Sequence, residues 1–200
     1  MIMEKDKGLG TPPGNKRGTA VREKILNTAD ELFYREGIRA IGVDTIVEKS
    51  GVAKTSLYRW FPTKDDLIAA FLERRNVEFW EQWDKVAAKH PGNAREELLA
   101  HLQWISRYVA SPDYRGCAFL IAATEFPDAG HPSRAICLAN KQELRRRLLG
   151  IVRRAKIDDP TEVADQLLML IDGAFVNPQI FGKPGPSKHL VKAGQRLVGA

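Results

Sequence analysis

The sequence has little that would suit a disulfide-stabilised, secreted or membrane-spanning protein. It contains two cysteines, Cys117 and Cys137, and neither lies at a spacing typical of metal ligands or of a disulfide framework. No apolar run approaches the ~18 residues of a membrane helix, because Asp172 and Gly173 interrupt "LLMLIDGAFV". The opening residues "MIMEKDKGLG" contain no hydrophobic leader. We therefore expect a cytoplasmic chain with reduced thiols and no membrane partner, and whether either thiol has a redox role stays open.

Charge of one sign is not concentrated in any one region either. The chain has 31 Lys+Arg against 25 Asp+Glu, a net charge of +6, and the excess is spread over its length. Such a charge permits an anionic partner such as nucleic acid but does not establish one. Sustained strand-type alternation and internal repeats are also missing, whereas helical periodicity recurs along the chain. The predicted fold class is all-α.

Glycine and proline divide the chain into segments. Residues 1–18 are rich in Gly, Pro and basic residues and are predicted to form a disordered basic tail. A first helix begins near Thr19 and ends at Gly37, and Thr63 is expected to cap a long helix that runs to about Lys89. Between them lie two short helices, over 43–50 and 54–60, joined by Gly51. Later helices are predicted over 94–110, 115–126, 133–156, 161–177 and 187–197.

The two short helices after a longer one are typical of a helix-turn-helix, in which the second helix enters the major groove of DNA. Val52 and Leu57 would form its apolar inner side. Its outer side would carry side chains that contact bases or phosphates, namely Lys54, Thr55, Ser56, Tyr58 and Arg59. Lys64 lies at the start of the long helix, where free backbone N–H groups already favour an anion.

The stretch "ILNTADELFYREGIRAIGVDTIVEKSGVAKTSLYRWFPTKDDLIAAF" resembles the DNA-binding domain of the tetracycline-repressor (TetR) family of transcription regulators. The resemblance implies a three-helix DNA-binding domain over 19–64 and a helical ligand-binding and dimerisation domain over 65–200. The family's phosphate-contacting Tyr and Lys fall on Tyr58 and Lys64. Its base-reading positions fall on Lys54, Thr55, Ser56 and Arg59, with Val43, Asp44 and Thr45 at the start of the preceding helix.

The resemblance also implies partners. It predicts a homodimer on a palindromic double-stranded operator, paired through the last two helices at about 161–177 and 187–198. It predicts a small organic effector that releases the protein from DNA, with no other cofactor, although activation or a corepressor stays open. Large side chains on the helices expected to surround the effector are Trp80, Trp83, His101, Trp104, Tyr108 and Phe119.

Two other interpretations stay open. One is a helical enzyme or metal-dependent protein that uses Glu125, Asp128 and His131; these residues flank a proline-containing loop, so turn and capping roles compete with it. The other is a helical adaptor that binds a protein partner and no DNA. A nucleophile motif and a spaced set of metal ligands are both missing from the sequence, so no catalytic or metal site is predicted.

Overall fold

The computed structural model describes residues 16–199, and within that range the chain is helical and contains no strand. The all-α prediction is confirmed there. The helices are α1 Lys16–Glu36, α2 Val43–Ser50, α3 Lys54–Trp60, α4 Lys64–Ala87, α5 Ala94–Ala110, α6 Ala118–Glu125, α7 Pro132–Arg154, α8 Pro160–Phe181 and α9 Leu190–Val198, with a 3-10 turn at Gly185–His189 before α9.

The start of α1 differs from the predicted boundary. The helix begins at Lys16, so residues 16–18 of the predicted tail are helical. The rest of that predicted tail, residues 1–15, lies outside the described residues. At its other end α1 stops where expected, because Gly37 adopts a positive φ of 96° and donates its N–H to the carbonyl of Phe33.

Local signals set the ends of α2 and α4. Gly51 adopts a left-handed conformation with φ 61°, and its N–H satisfies the carbonyl of Val47 at the end of α2. Thr63 and Asp66 form a reciprocal capping box, in which each side chain accepts a hydrogen bond from the other residue's backbone N–H. These two features place α3 between a tight turn and a rigid start of α4.

The end of α8 extends beyond the predicted residue 177, through Pro178 to Phe181. Proline inside a helix leaves the carbonyl four residues earlier without its usual donor. That carbonyl belongs to Ala174, and it accepts a hydrogen bond of 2.9 Å from the hydroxyl of Ser187. The 3-10 turn that carries Ser187 thus compensates for the proline. At the other end of α8, Asp159 adopts a left-handed conformation and makes no side-chain capping bond.

Two apolar clusters hold the molecule together. The first joins α1, α2 and α3 to the N-terminal half of α4, and it extends to α6 through Ala118, Phe119 and Ala122. The second lies among α5, α7, α8 and α9 and the C-terminal half of α4. Helix α4 therefore belongs to both clusters. Because α6 packs into the first cluster, the helix-turn-helix shares its core with the C-terminal part of the chain.

Candidate DNA-binding surface and neighbouring cavity

The α2–α3 pair is anchored by apolar residues on its inner side. Ile46 and Leu57 are fully buried, Phe61 is 3% exposed, and Trp60 is half-buried against the same cluster. Phe61, which follows α3, therefore packs inward with Leu57. With these side chains fixed, the opposite side of α3 is held outward.

The outward side of α3 carries the predicted DNA-contacting residues. Tyr58 is 42% exposed, so its ring and hydroxyl are accessible to a partner. Thr45 on α2 and Ser56 on α3 are half-buried. The other exposed residues of this surface are Lys54, Thr55 and Arg59. The fold thus brings six of the seven sequence-predicted residues to the two helices of the motif.

Lys54 already has a partner on this surface. Its Nζ lies 2.6 Å from Oδ1 of Asp44 in the first turn of α2. The hydrogen bond to that carboxylate raises the pKa of Lys54, with the coulombic attraction of Asp44 acting in the same direction. The Lys54 ammonium must therefore leave Asp44 before it can bind any other anion.

Lys64, the seventh predicted residue, lies differently. Its Nζ donates a 2.7 Å hydrogen bond to the carbonyl of Ile38 and lies 5.8 Å from the centre of the Phe33 ring. Burial lowers the pKa of this ammonium. Lys64 therefore ties the start of α4 to the turn after α1.

The same turn is held from the other side by Glu125 at the end of α6. Its carboxylate accepts hydrogen bonds from the backbone N–H groups of Ile38, at 3.1 Å, and Arg39, at 2.6 Å. The guanidinium of Arg39 in turn donates to the carbonyl of Glu125, at 3.2 Å. We call this contact of Glu125 with the turn at Ile38 and Arg39 the Glu125 clamp. It links the C-terminal helices to helices α1 to α3, which we call the DNA-reading part. No local pattern in the sequence indicates it, because the contact spans 87 residues.

The residues of the enzyme or metal interpretation have structural roles. Asp128 accepts a hydrogen bond from the N–H of Gly130, and His131 Nδ1 accepts one from Ser133 at the start of α7. Together with the Glu125 clamp, these are turn and capping contacts. Among the described residues, no three His, Cys, Asp or Glu side chains are grouped so as to hold a metal ion.

A cavity lies between α1, α4 and the C-terminal helices. Its empty volume is about 460 Å³, part of which opens to solvent. Two of the six proposed effector contacts, Tyr108 and Phe119, belong to its lining. The other lining residues were not singled out in the sequence: Tyr34, Arg75, Phe79, Cys117, Ala118, Asn140, Lys141, Leu144 and Phe175.

The other four predicted effector contacts lie outside this lining. Trp80, Trp83 and Trp104 pack around Phe79, whose ring centre lies 5.2 Å from that of Trp104. His101 is fully buried and stacks on Trp83 at 3.7 Å. Burial lowers its pKa to about 3, so the ring is neutral near pH 7. These residues support the cavity wall without facing the space inside.

The charged residues in the lining are Arg75 and Lys141, and each forms an ion pair with a carboxylate outside the lining. Arg75 donates from Nε and Nη2 to the two carboxylate oxygens of Asp30 on α1, at 2.7 and 2.5 Å. Its guanidinium also lies 4.2 Å from the ring centre of Tyr34. Lys141 on α7 pairs with Asp172 on α8.

Comparison with known proteins assigns the family. The model for bacterial regulatory proteins of the tetR family matches residues 25–71. A crystal structure of a TetR-family transcriptional regulator from Streptomyces coelicolor has a TM-score of 0.84 and 32% identity, covering 91% of this chain and 97% of that one. The chain belongs to the TetR family.

Other relatives agree. The HTH-type transcriptional regulator YjdC of Escherichia coli is 26% identical over 156 residues, which are 77% of this chain and 81% of YjdC. The transcriptional repressor NemR of the same species is 24% identical over 115 residues, which are 57% of this chain and 58% of NemR. This TetR-family chain is therefore a helix-turn-helix DNA-binding regulator and not an enzyme. Regulators of this family bind DNA operators and small-molecule effectors, usually as dimers.

The exposed apolar residues of the regulator concentrate on α8. Met169 is 73% exposed and Ile180 is 70% exposed, with Val176 and Phe181 on the same helix and Leu138 on neighbouring α7. Helix α9, by contrast, turns Leu190, Gly194 and Val198 inward and leaves Lys192 and Arg196 exposed. None of the helices within residues 16–199 is long and apolar enough to cross a membrane.

Proposed function

We propose that this TetR-family regulator is a homodimeric repressor that leaves a palindromic operator when a small organic molecule binds. The observation that carries the proposal is the outward polar side of α3, fixed by Leu57 and Phe61 behind it. A relative of 24% identity, NemR, is a transcriptional repressor. The cavity that adjoins both α1 and α4 is the proposed effector site.

The proposed contacts follow the chemistry of each side chain. Lys54 and Arg59 read guanine edges, while Thr45, Thr55 and Ser56 supply hydroxyl groups to bases or phosphates. The hydroxyl of Tyr58 contacts a phosphate.

Lys64 contributes in a different manner. Its ammonium is engaged with Ile38, so in the free protein it stabilises the start of α4, whose N-terminal N–H groups face the DNA backbone. Contact with a phosphate requires this hydrogen bond to be exchanged.

The proposed dimer uses the exposed apolar face of α8. A palindrome requires two recognition helices about 34–36 Å apart, and this spacing needs a rigid pair of subunits. Since exposed apolar side chains lie on α8 and α7, we place the interface on these helices. The participation of α9, expected from the family, has less support because its outward side is polar.

The test compares binding of the purified protein to a footprinted operator and to random duplex. Lys54→Ala and Arg59→Ala should each weaken operator binding by about 1–3 kcal/mol. Each should also reduce the difference in affinity between the operator and random duplex. Tyr58→Phe should weaken binding to the operator and to random duplex by the same factor. Arg153→Ala, an exposed basic residue on α7, is the control.

Two results would contradict the proposal. Operator affinity that is unchanged in all three variants would remove α3 as the reading helix. Absence of any duplex binding at low salt would favour the protein-binding adaptor, because a DNA-binding regulator has an affinity that rises steeply as salt is lowered.

A further inference from the structure

The cavity has walls from both functional parts of the molecule. Tyr34 comes from α1 of the DNA-reading part, and Arg75 and Phe79 come from α4, which spans both parts. Tyr108, Phe119, Lys141 and Phe175 come from four different C-terminal helices. A molecule in this cavity therefore contacts α1 directly.

The charge of the lining selects among ligands. Its charged members are Arg75 and Lys141, and the lining of this cavity includes no Asp or Glu. Asp30 pairs with Arg75 and Asp172 pairs with Lys141, and neither carboxylate belongs to the lining. Both cations keep further N–H donors, because Arg has five and Lys has three. An organic anion can accept from these donors, whereas an organic cation finds no carboxylate in the lining.

The rest of the lining suits a flat ring. Phe79, Tyr108, Phe119 and Phe175 provide aromatic surface around the cavity. The ammonium of Lys141 lies 5.4 Å from the ring centre of Phe175, so cationic and aromatic surfaces adjoin each other.

We propose that the effector is an aromatic carboxylate, whose ring lies among these aromatic side chains and whose carboxylate pairs with Arg75, assisted by Lys141. The inference rests on the proposed ligand response and names its chemical class. Arg75 is suited to this role because a guanidinium binds a carboxylate through two parallel N–H donors.

The same pairing gives the effector a route to the DNA-reading part. Arg75 now uses two donors for Asp30 on α1, and a ligand carboxylate competes with Asp30 for them. Tyr34, one turn further along α1, donates to the carbonyl of Gly116 and accepts from the N–H of Arg115, both at 3.0 Å. Weakening the Arg75–Asp30 pair removes one of the polar links between α1 and α4, another being Arg74 with Glu23 and Asn27. Binding thereby shifts the population toward a different placement of α1.

The experiment uses the full chain without DNA and two probe sets: benzoate and 2-naphthoate, each with its neutral amide and its cationic methylamine counterpart. Affinity is measured by calorimetry, with the thermal midpoint as a check on folding. At least one carboxylate should bind about tenfold or more tightly than its amide, and the amines should not bind measurably. Equal binding of an amide or amine, or no binding of either acid at millimolar concentration, overturns the proposal.

Variants separate a binding role from a structural one. Lys141→Gln should weaken carboxylate binding several-fold and leave amide binding unchanged. Asp30→Asn should strengthen carboxylate binding, since it frees Arg75; a merely structural role for the pair would weaken it. Arg107→Gln, exposed on α5 and absent from the lining, is the control. Carboxylate affinity unaltered in both Lys141→Gln and Asp30→Asn overturns the assignment.

A separate anisotropy measurement with operator DNA distinguishes this inference from the proposed function. Release of the operator by the carboxylate but not by its amide supports both the ligand class and the proposed ligand-relieved repression. Tight carboxylate binding with unchanged operator affinity supports the ligand class and contradicts the ligand-relieved repression and the route through Asp30.

Discussion

Lys54 is paired with Asp44 in the free protein, and in the proposed complex DNA competes for the same ammonium. The ion pair with Asp44 is exposed on both sides, so it restrains the lysine only weakly. Its larger effect is on the approach of DNA, because the Asp44 carboxylate places a negative charge on a surface that must meet phosphates. We therefore expect Asp44 to lower the affinity of the proposed complex for every duplex and to keep Lys54 from contacting phosphates of any sequence.

Replacing Asp44 with Asn should therefore increase affinity for random duplex by roughly two- to fivefold. The dependence of log affinity on log salt should steepen by about one unit, as for one added phosphate contact. Fluorescence anisotropy over a salt series measures both. Glu78→Gln on α4, also exposed, makes the same change in net charge elsewhere; equal gains in the two variants would show a general charge effect only.

His101 is a residue whose protonation opposes the fold. Among the described residues its two ring nitrogens are buried side-chain atoms that have no hydrogen-bond partner, and burial holds its pKa at about 3 against an ordinary 6.5. As pH falls from 6.5 toward 3, the unfolded chain takes up a proton that the folded chain does not. Stability is therefore lost with acid, at up to about 1.4 kcal/mol per pH unit.

His101→Met should remove this slope and raise the free energy of unfolding at neutral pH by about 1–3 kcal/mol, because no buried polar atom is left unsatisfied. Urea unfolding at several pH values between 4 and 7 (roughly the window over which the two pKa values differ) gives both quantities. His189→Gln, at an exposed position, is the control. A parallel pH dependence in His101→Met and wild type would disprove the assignment.

At the scale of helices, the Glu125 clamp determines how the end of α6 holds the turn after α1. Gly37 precedes the clamped residues, and a Cβ there would lie 3.2 Å from Oε1 of Glu125. The positive φ of Gly37 and the close carboxylate thus both require glycine. Buried Ile38 and exposed Arg39 both donate their backbone N–H groups to this one side chain.

Glu125→Ala should lower the free energy of unfolding by about 1–3 kcal/mol, since it leaves the N–H groups of Ile38 and Arg39 without their acceptor. Chemical denaturation monitored by tryptophan fluorescence provides the value. Glu81→Ala on the exposed side of α4 should change it by less than about 0.5 kcal/mol. If the two variants unfold at the same denaturant concentration, the clamp contributes nothing to stability.

The helices of the DNA-reading part were predictable because their signals are local. Gly51, Thr63 and Pro62 act on their immediate neighbours, and the boundaries of α2, α3 and α4 follow. The passage of α8 through Pro178 was not predictable, since the hydroxyl that compensates comes from Ser187.

The cavity lining was predictable only in part, for the same reason. Tyr108 and Phe119 were expected from size and position, but Arg75 and Lys141 look like ordinary surface cations in the sequence. Their roles arise from contacts with α1 and α8, far away along the chain. Long-range packing of this kind leaves no periodic pattern in a single sequence.

At the scale of the whole molecule, the proposed dimer makes a prediction about α8. Met169→Glu places charges in an interface core and should convert dimers into monomers, seen by sedimentation velocity, with a large loss of operator affinity. Because Met169 is 73% exposed in one protomer, the folded monomer should keep its thermal stability apart from the dimer contribution.

Arg196→Glu on α9 tests the alternative interface in the same assay. If α9 lies outside the interface, this variant should sediment as wild type. A monomeric Arg196→Glu together with a dimeric Met169→Glu would reverse the assignment and restore the last helix as the pairing element.

The packing of Ala118, Phe119 and Ala122 into the first apolar cluster has a consequence for hybrid regulators. A fragment of this chain that ends after α4 would lose the three α6 residues of that cluster and expose part of the remaining apolar surface to water. Fusing this fragment to the ligand-binding domain of another regulator should succeed only when the α6 segment is included. We therefore expect the fragment and α6 to be exchanged as one unit, both in evolution and in engineering.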